Sequence, residues 1–189
     1  MKKLAVLLHR DIEEATGRNE KIKSRLELIR KNGWDVDIYY IKEPETKNNF
    51  YRIIMVFIQA FFVSLEIKET FSKNDKFVLW TMNAPSYLHI PGIILHFIEN
   101  DIKWIAEFRD AMCEEPFFSR KPKFTKILNR FLERPVVIYA DKVVSDKGFQ
   151  GSVKYLKETY DVESSKFHEL PYIGYKEEDF ENIKPKNFD

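Results

Sequence analysis

Short apolar runs alternate along the chain with longer segments whose apolar residues recur every three or four positions. The first run, LAVLL at 4–8, has the continuous apolar character of a strand covered on both faces. Five further runs follow: VDIYYI at 36–41, FVLW at 77–80, WIAEF at 104–108, KVVS at 142–145 and KFHEL at 166–170. The pattern therefore predicts six strands.

The segments between these runs have helical periodicity. Apolar residues at 22, 26 and 29 share one helical face, and Gly33 is placed to end that helix. Pro91 suits the first turn of a helix, and Pro135 is expected to end or kink another. The remaining apolar stripes lie at 93–98, 124–132 and 153–156. This alternation predicts an α/β fold with a doubly wound, mostly parallel Rossmann-like sheet.

The segment 50–67, FYRIIMVFIQAFFVSLEI, is the most apolar part of the chain. Arg52, Gln59 and Glu66 interrupt it at intervals of seven, so they form one narrow polar seam on a helix. Three polar interruptions disfavour a membrane span. The first interpretation is a helix packed against the sheet and nearly buried all round, and the alternative is a helix that touches a membrane face.

Composition limits the class of protein. The 189 residues fit one domain, and 44% apolar residues supply a core. Lys and Arg number 31 against 30 Asp and Glu, a formal net charge of +1 that argues against a nucleic-acid binder. The single cysteine, Cys113, forms neither an intrachain disulfide nor a cysteine-based metal site, and it favours a cytoplasmic location. The sequence contains neither the glycine motif of dinucleotide-binding domains nor that of P-loops, and no residues at the spacing typical of metal ligands.

A parallel sheet of this kind binds ligands at the carboxyl ends of its strands. The loops of interest are therefore 9–19, 81–90, 109–122 and 145–151. The fourth strand ends in three charged residues, Glu107, Arg109 and Asp110. The planar guanidinium group of Arg109 is suited to binding phosphate or carboxylate. Asp110 could orient that guanidinium group or accept a hydrogen bond from a sugar hydroxyl. The alternative is a structural Arg–Asp pair that holds the following loop.

Two other loops carry candidate binding residues. Gly17 and Arg18 precede a helix, where backbone amides and a cation favour a donor phosphate; the alternative is an ordinary capped helix. Asn83, Ser86 and His89 follow the third strand and could hydrogen-bond a polyol. His89 is also a candidate base, although a lone histidine is more often structural.

Four segments resemble the N-terminal domains of family 4 glycosyltransferases, in the same order. EFRDAM resembles the strand-end E-x-R-D segment, and LER at 132–134 with ADKVVSD at 140–146 resembles the E…AD-x-[VI]-x-x-S stretch. The opening GRNEKIKSRLELIRKNGWDVDIYYI at 17–41 resembles G…R…L…L…G-x-x-V-x-[VI]. KFHELPYIGYKEEDF at 166–180 resembles the segment that closes the domain, although Tyr172 stands at its usual asparagine. The first loop has one glycine where many relatives have two, and Met112 replaces a frequent aromatic residue.

The resemblance implies one half of a GT-B enzyme that transfers sugar from a nucleotide donor with retention of configuration and without a metal. Residues 1–175 would form the N-terminal, acceptor-side domain, and 176–189 would begin a connector to a missing C-terminal domain. Such a half would be inactive alone. Six residues would contact the acceptor or the sugar: Arg109, Asp110, Glu107, His89, Ser86 and Asn83. Gly17 and Arg18 would contact the donor phosphate. The resemblance implies a role in surface polysaccharide or glycolipid synthesis, with a sugar or lipid-linked acceptor. It also implies a cytoplasmic location, with peripheral contact to the inner membrane face through residues 50–67.

Two rival functions remain on the same sequence. A non-catalytic sugar- or phosphate-binding module can share the fold, because fold does not fix function. A receiver-like or flavodoxin-like domain would need clustered acids, or a loop rich in Ser, Thr and Gly, after the first strand. The sequence there supplies only HRD followed by Thr16 and Gly17, so this rival ranks last.

Overall fold

The structure is a computed structural model of the chain. It describes residues 2–9, 17–42, 44–46, 48–71, 76–82, 86–99, 102–108, 111–113, 119–120, 123–146 and 150–170.

Strands and helices alternate along this part of the chain. The strands are β1 (Lys2–Leu8), β2 (Trp34–Tyr40), β3 (Lys76–Met82), β4 (Lys103–Glu107), β5 (Lys142–Asp146) and β6 (Phe167–Leu170). The helices are α1 (Gly17–Lys31), α2 (Asn49–Phe71), α3 (Ile90–Ile98), α4 (Lys123–Tyr139) and α5 (Gln150–Tyr160), with 3-10 turns at Ser86–His89 and Ser164–Lys166. The six predicted strands are confirmed.

The strands form one parallel sheet in the order β2-β1-β3-β4-β5-β6. Strand β1 lies between β2 and β3, with Leu4 opposite Val36 on one side and Val78 on the other. The chain moves one way across the sheet from β1 to β2 and the other way from β3 onward. This reversal confirms the doubly wound, parallel arrangement.

Residues of the first four strands are divided between two separate cores. Leu4, Val6 and Leu8 of β1 pack on the α1 side of the sheet with Ile22 and Leu26. The intervening β1 residues belong to the larger core, which includes buried residues of α2, α3, α4 and α5. Because successive strand side chains point to opposite faces, this pairing places α1 on one face and the other four helices on the other.

Local residues explain most of the helix ends. Gly33 follows α1 with a φ of 80°, and its N–H donates to the carbonyl of Arg30 at 2.9 Å, as the predicted helix end requires. Pro91 lies in the first turn of α3, also as predicted. Pro135 does not end α4, which continues to Tyr139. A proline removes one intrahelical hydrogen bond, and the fully buried valines at 136 and 137 hold the next turn against the core.

The prediction that the helix over 50–67 is nearly buried all round is wrong. Helix α2 buries only Val56, Ala60, Ser64 and Ile67. Its opposite side exposes large apolar side chains along its whole length, because no element in the described part of the chain covers it. Apolar composition identified the helix, but composition does not specify what lies against each face.

Helix α3 packs directly onto the indole of Trp104 in β4. A Cβ atom added at Gly92 would lie 2.2 Å from Cε2 of that ring. Only glycine allows this approach, so α3 and β4 are in closer contact than two ordinary side chains permit.

Candidate functional site

The carboxyl ends of the strands form one edge of the sheet, and the strand order reverses between β1 and β3, the position at which sheets of this kind bind ligands. Helix α1 begins at Gly17 on this side, in agreement with the predicted loop-to-helix junction. The 3-10 turn Ser86–His89 follows β3, and Phe108 follows β4. The predicted site residues on described segments therefore belong to this edge or to its supports.

Half of the predicted site side chains lie outside the described residues. These are Asn83, Arg109, Asp110 and the side chain of Arg18. Their proposed contacts with acceptor, sugar and phosphate stay predictions, as does phosphate binding at Gly17. The part of the closing motif beyond residue 170 and the predicted domain boundary at residue 175 also lie outside the described residues.

Glu107 joins three elements at the end of β4. Its Oε1 atom accepts a hydrogen bond from Nη1 of Arg25 in α1 at 3.1 Å. Its Oε2 atom accepts from Nε1 of Trp80 in β3 at 3.0 Å. Both members of the ion pair are about nine-tenths buried, so the desolvation of Glu107 is offset by two directed donors. The carboxylate thus fixes β4 to β3 and α1, and its predicted sugar contact stays a prediction.

His89 lies in the core beneath the same edge. Its Nδ1 atom is 2.6 Å from the hydroxyl of Thr81, which accepts a hydrogen bond from Nε1 of Trp104 at 2.8 Å. The indole can only donate, so it uses one lone pair of the Thr81 hydroxyl, which can either donate to His89 Nδ1 or accept from it. The imidazole stacks on Phe108 with ring centres 5.2 Å apart.

Burial controls the protonation of His89. The side chain is fully buried, and desolvation lowers its pKa from 6.5 to about 3. The ring is therefore neutral near physiological pH. Its Nε2 atom has no hydrogen-bond partner among the described residues. This environment matches the structural alternative for His89, and the roles as base or polyol ligand stay predictions.

Ser86 links the turn after β3 to the segment after β4. Its hydroxyl donates to Oδ1 of Asn129 in α4 at 3.1 Å. Nδ2 of Asn129 in turn donates to the backbone carbonyl of Met112 at 2.8 Å. Asn129 is almost fully buried, so this amide is a fixed bridge between the two loops.

Glu133, one turn further along α4, holds the same segment. The backbone N–H of Cys113 donates to its Oε2 atom at 2.9 Å, and the Tyr160 hydroxyl donates to its Oε1 atom at 2.7 Å. Glu133 is completely buried, and desolvation raises its pKa although hydrogen bonds from Tyr160, Cys113 and Met112 oppose the rise. A buried carboxyl with this many donors is a rigid anchor.

Asn129 and Glu133 were missed as site residues by sequence reasoning. Both stand on the buried side of α4, whose other buried residues include Leu132, Val136 and Val137. Polar residues on an apolar helical face are uncommon and require partners, and that signal was present in the sequence. The LER motif contained Glu133, but no role was assigned to it.

The described residues contain no group of three or more His, Cys, Asp or Glu side chains placed to hold a metal ion. The polar groups at the edge instead form two hydrogen-bonded supports, one through Glu107 and one through α4. Together they hold both ends of the segment that contains Arg109 and Asp110. The arrangement is suited to fixing a short loop at the edge of the sheet.

Comparison with models of known protein families and with curated protein sequences finds no match. Among solved structures, the chain is similar to sucrose-phosphate synthase from Thermosynechococcus elongatus, with a TM-score of 0.60 and 11% sequence identity. The match covers 90% of this chain and 48% of that protein, so the chain spans about half the length of its structural neighbour. The fold is thus the Rossmann-like α/β domain expected for one half of a GT-B protein.

Proposed function

We propose that the chain is the acceptor-side domain of a retaining, nucleotide-sugar-dependent glycosyltransferase that acts in surface polysaccharide or glycolipid synthesis. The observation that carries the proposal is the segment after β4, anchored at both ends where this fold binds ligands. The structural likeness to half of a sucrose-phosphate synthase supports the same class. A second, donor-binding domain would complete the enzyme.

Glycosyl transfer defines what this segment would do. The bond between the anomeric carbon and the donor diphosphate breaks, and negative charge develops on the departing diphosphate. The acceptor oxygen forms a bond to the anomeric carbon, and its hydroxyl proton passes to the departing diphosphate. Arg109 would offset that charge or bind a phosphate of the acceptor, and Asp110 would accept a sugar hydroxyl. Gly17 and Arg18 would contact the donor phosphate at the start of α1. The proposal requires no metal cofactor.

The two anchoring residues, Glu107 and Glu133, explain how the segment after β4 could act with little reorganisation. Glu107 precedes Arg109 by two residues and is fixed by Arg25 and Trp80. Glu133 binds the backbone three residues after Asp110, at Cys113. Electrostatic catalysis depends on preorganised charge, so fixed points on both sides of Arg109 favour the role proposed for it.

The test uses the longest product of the native reading frame, incubated with a panel of nucleotide sugars and sugar or lipid-linked acceptors. Release of nucleoside diphosphate that requires the acceptor is expected. Arg109→Ala should reduce kcat by about 100-fold with an unchanged Tm, in the range found when a transition-state donor is removed. Arg120→Ala is the matched control, because Arg120 is an exposed arginine outside both anchors.

Two results would contradict the proposal in different ways. Wild-type turnover in Arg109→Ala would remove the role of Arg109 but keep the enzyme class. Saturable binding of sugar phosphate with no transfer from any donor would instead support a non-catalytic sugar- or phosphate-binding module.

A further inference from the structure

The outer side of helix α2 carries a continuous row of exposed apolar side chains. Its members follow one another at intervals of one to four residues, so they lie along one side of the helix. They are Phe50, Tyr51, Ile54, Phe57, Ile58, Phe61, Phe62 and Leu65, named here the outer apolar face. The stretch 50–65 contains one charged residue, Arg52, whose side chain donates a hydrogen bond to Asn49 at 2.8 Å. The face itself is therefore free of charge.

The exposed area of this face is close to that of a stable protein interface. Five of its eight side chains are aromatic, and Phe50 and Phe62 are 71% and 63% exposed. With about 150–250 Å² of surface for each aromatic side chain, the exposed fractions leave roughly 700 Å² of apolar surface in water. The largest apolar patch on a typical monomer covers about 300–600 Å², whereas a stable interface covers about 800 Å² of each partner.

Exposed apolar residues of α3 lie near the C-terminal end of this face. Lys68 of α2 forms an ion pair of 2.8 Å with Glu99, which directly follows α3. This contact holds the C-terminal ends of the two helices together. Phe97 and Ile98, which precede Glu99, are both exposed. With them, the apolar surface reaches the area that a stable dimer requires.

Helix α2 is the one helix among the described residues that is long and apolar enough to cross a membrane. Its other side, however, belongs to the protein core. Val56, Ala60 and Ile67 are at most 4% exposed and pack in the core built on β1, β3 and β4. A crossing helix would uncover that core, so a partner of the outer apolar face has to cover it while the helix stays on the sheet.

The charges of α2 favour a second copy of the chain over a lipid surface. Helices that lie on membranes carry many Lys and Arg residues on their polar side. The stretch 50–65 has one cation, and the first charged residue after it is an exposed acid, Glu66. An uncharged surface rich in aromatic residues has instead the composition of the buried centre of a protein interface.

Two copies of this face complement each other when their helices run antiparallel. The row extends from Phe50 to Leu65, so a two-fold axis between Phe57 and Ile58 places each end of one face against the opposite end of the other. Glu66 then lies near the first turn of α2 in the second copy. That turn contains no acidic residue of its own, so the carboxylate interacts favourably with the positive end of the helix dipole. A parallel pair would instead bring the two Glu66 side chains together.

We propose that the outer apolar face joins two copies of the chain in an antiparallel dimer with two-fold symmetry. The aromatic side chains of one copy pack between those of the other, and about 800 Å² of each copy leaves water. In parallel βαβ units each helix starts near the carboxyl edge of the sheet. The antiparallel pair therefore places the two candidate sites at opposite ends of the dimer, where both stay open. The pairing does not depend on the proposed glycosyltransferase activity.

The first test is the mass of the 189-residue chain in solution, measured by light scattering at about 10 µM, a concentration at which interfaces of this size are commonly occupied. A dimer is expected. Ile58 lies close to the two-fold axis, so Ile58→Glu places two like charges in a desolvated contact and should weaken dimerisation by about 100-fold or more. Leu28→Glu is the matched control, because Leu28 is an exposed apolar residue of α1, on the opposite face of the sheet.

Charge complementation tests whether the partner is a second copy. Ile58→Lys should also be monomeric, because its two ammonium groups would repel each other across the axis. Mixing the Ile58→Glu and Ile58→Lys chains should restore the dimer, since residue 58 of one copy lies beside residue 58 of the other. Recovery on mixing also establishes that both variants are folded.

Cross-linking with a bismaleimide tests the direction of the helices. A Phe50→Cys chain should be linked to a Leu65→Cys chain faster than either chain is linked to itself, because the antiparallel pair places these positions opposite each other. The wild-type chain, whose one cysteine is Cys113, is the control.

Each contrary result overturns the proposal. A monomer at about 100 µM does so directly, and so does a dimer that Ile58→Glu leaves intact. Monomeric variants that do not recover on mixing would refute the two-fold pairing, and Phe50→Cys chains linked only to each other would refute the antiparallel direction. Flotation of a monomeric chain with lipid vesicles, lost in Ile58→Glu, would assign the face to a membrane. A dimer whose longest reading-frame product transfers no sugar would keep the pairing and refute only the proposed function.

Discussion

Replacing His89 with asparagine should remove much of the acid sensitivity of folding. The ring is fully buried, and its burial lowers the pKa from 6.5 to about 3. Asparagine can keep a polar atom near the position of Nδ1, which contacts the Thr81 hydroxyl at 2.6 Å. It cannot take up a proton in this pH range. The substitution therefore separates protonation from the hydrogen bond to Thr81.

The size of the effect follows from the two pKa values. Below the unfolded-state pKa, the unfolded chain binds a proton that folded His89 excludes, so stability falls as pH falls. Between about pH 7 and pH 5 this difference costs about 2 kcal/mol, and the loss grows until the pH approaches the folded-state pKa of about 3. Thr81, Trp104 and Phe108, the groups in contact with the ring, do not titrate in this interval.

Urea unfolding at the two pH values measures the effect. The wild-type chain should lose about 2 kcal/mol more than His89→Asn when the pH is lowered, even though the variant is less stable at both values because of the space it leaves. His168→Asn is the control, since His168 is exposed on β6. Comparison between variants cancels the titration of distant groups. An equal loss in wild type and His89→Asn would refute the reasoning, because the acid sensitivity would then arise elsewhere.

Two further predictions concern the supports of the site. Gly92→Ala should destabilise the fold by about 3 kcal/mol, because the new methyl group would overlap Trp104, whereas Gly33→Ala adds no contact and should cost about 1 kcal/mol through its positive φ. Thermal or urea unfolding compares them, and equal losses would contradict the packing argument. Glu133→Leu should cost about 3 kcal/mol and accelerate hydrogen exchange at the Cys113 amide, which loses its acceptor. Unchanged exchange at that amide would contradict the anchor.

The sheet could be predicted because its inner strands β1 and β3 are short apolar runs that are buried on both sides. LAVLL lies in the inner strand β1, and 36–41 and 77–80 correspond to its two neighbours within one or two residues. The exposure of α2 could not be predicted in the same way. Its apolar residues occupy both the core side and the outer side, so periodicity alone does not distinguish them. What lies against a helix is determined by tertiary structure.

The sheet edge that carries the candidate site could be predicted, but the contacts of the candidate residues could not. The carboxyl edge follows from the parallel sheet, and Gly17 and Ser86 lie on segments at that edge. The partners of Glu107 were not predictable, because Arg25 is 82 residues away in sequence and meets it only when α1 packs on the sheet. His89 was considered for binding, yet its environment depends on Thr81 and on the packing of α3, which the local sequence does not reveal.

One acid in each of EFRDAM, LER and ADKVVSD has a structural role. Glu107 of EFRDAM accepts from a side chain of α1 and from one of β3, and Glu133 of LER accepts from the backbone at Cys113. Asp141 of ADKVVSD accepts from the backbone N–H at the start of β4 at 2.8 Å. Apolar cores tolerate many substitutions of similar volume, whereas a buried acceptor with fixed donors does not. Because the glutamates on both sides are engaged in anchoring, Arg109 and Asp110 are the charged residues of this segment left for proposed chemistry, and their substitution is the most direct test of it.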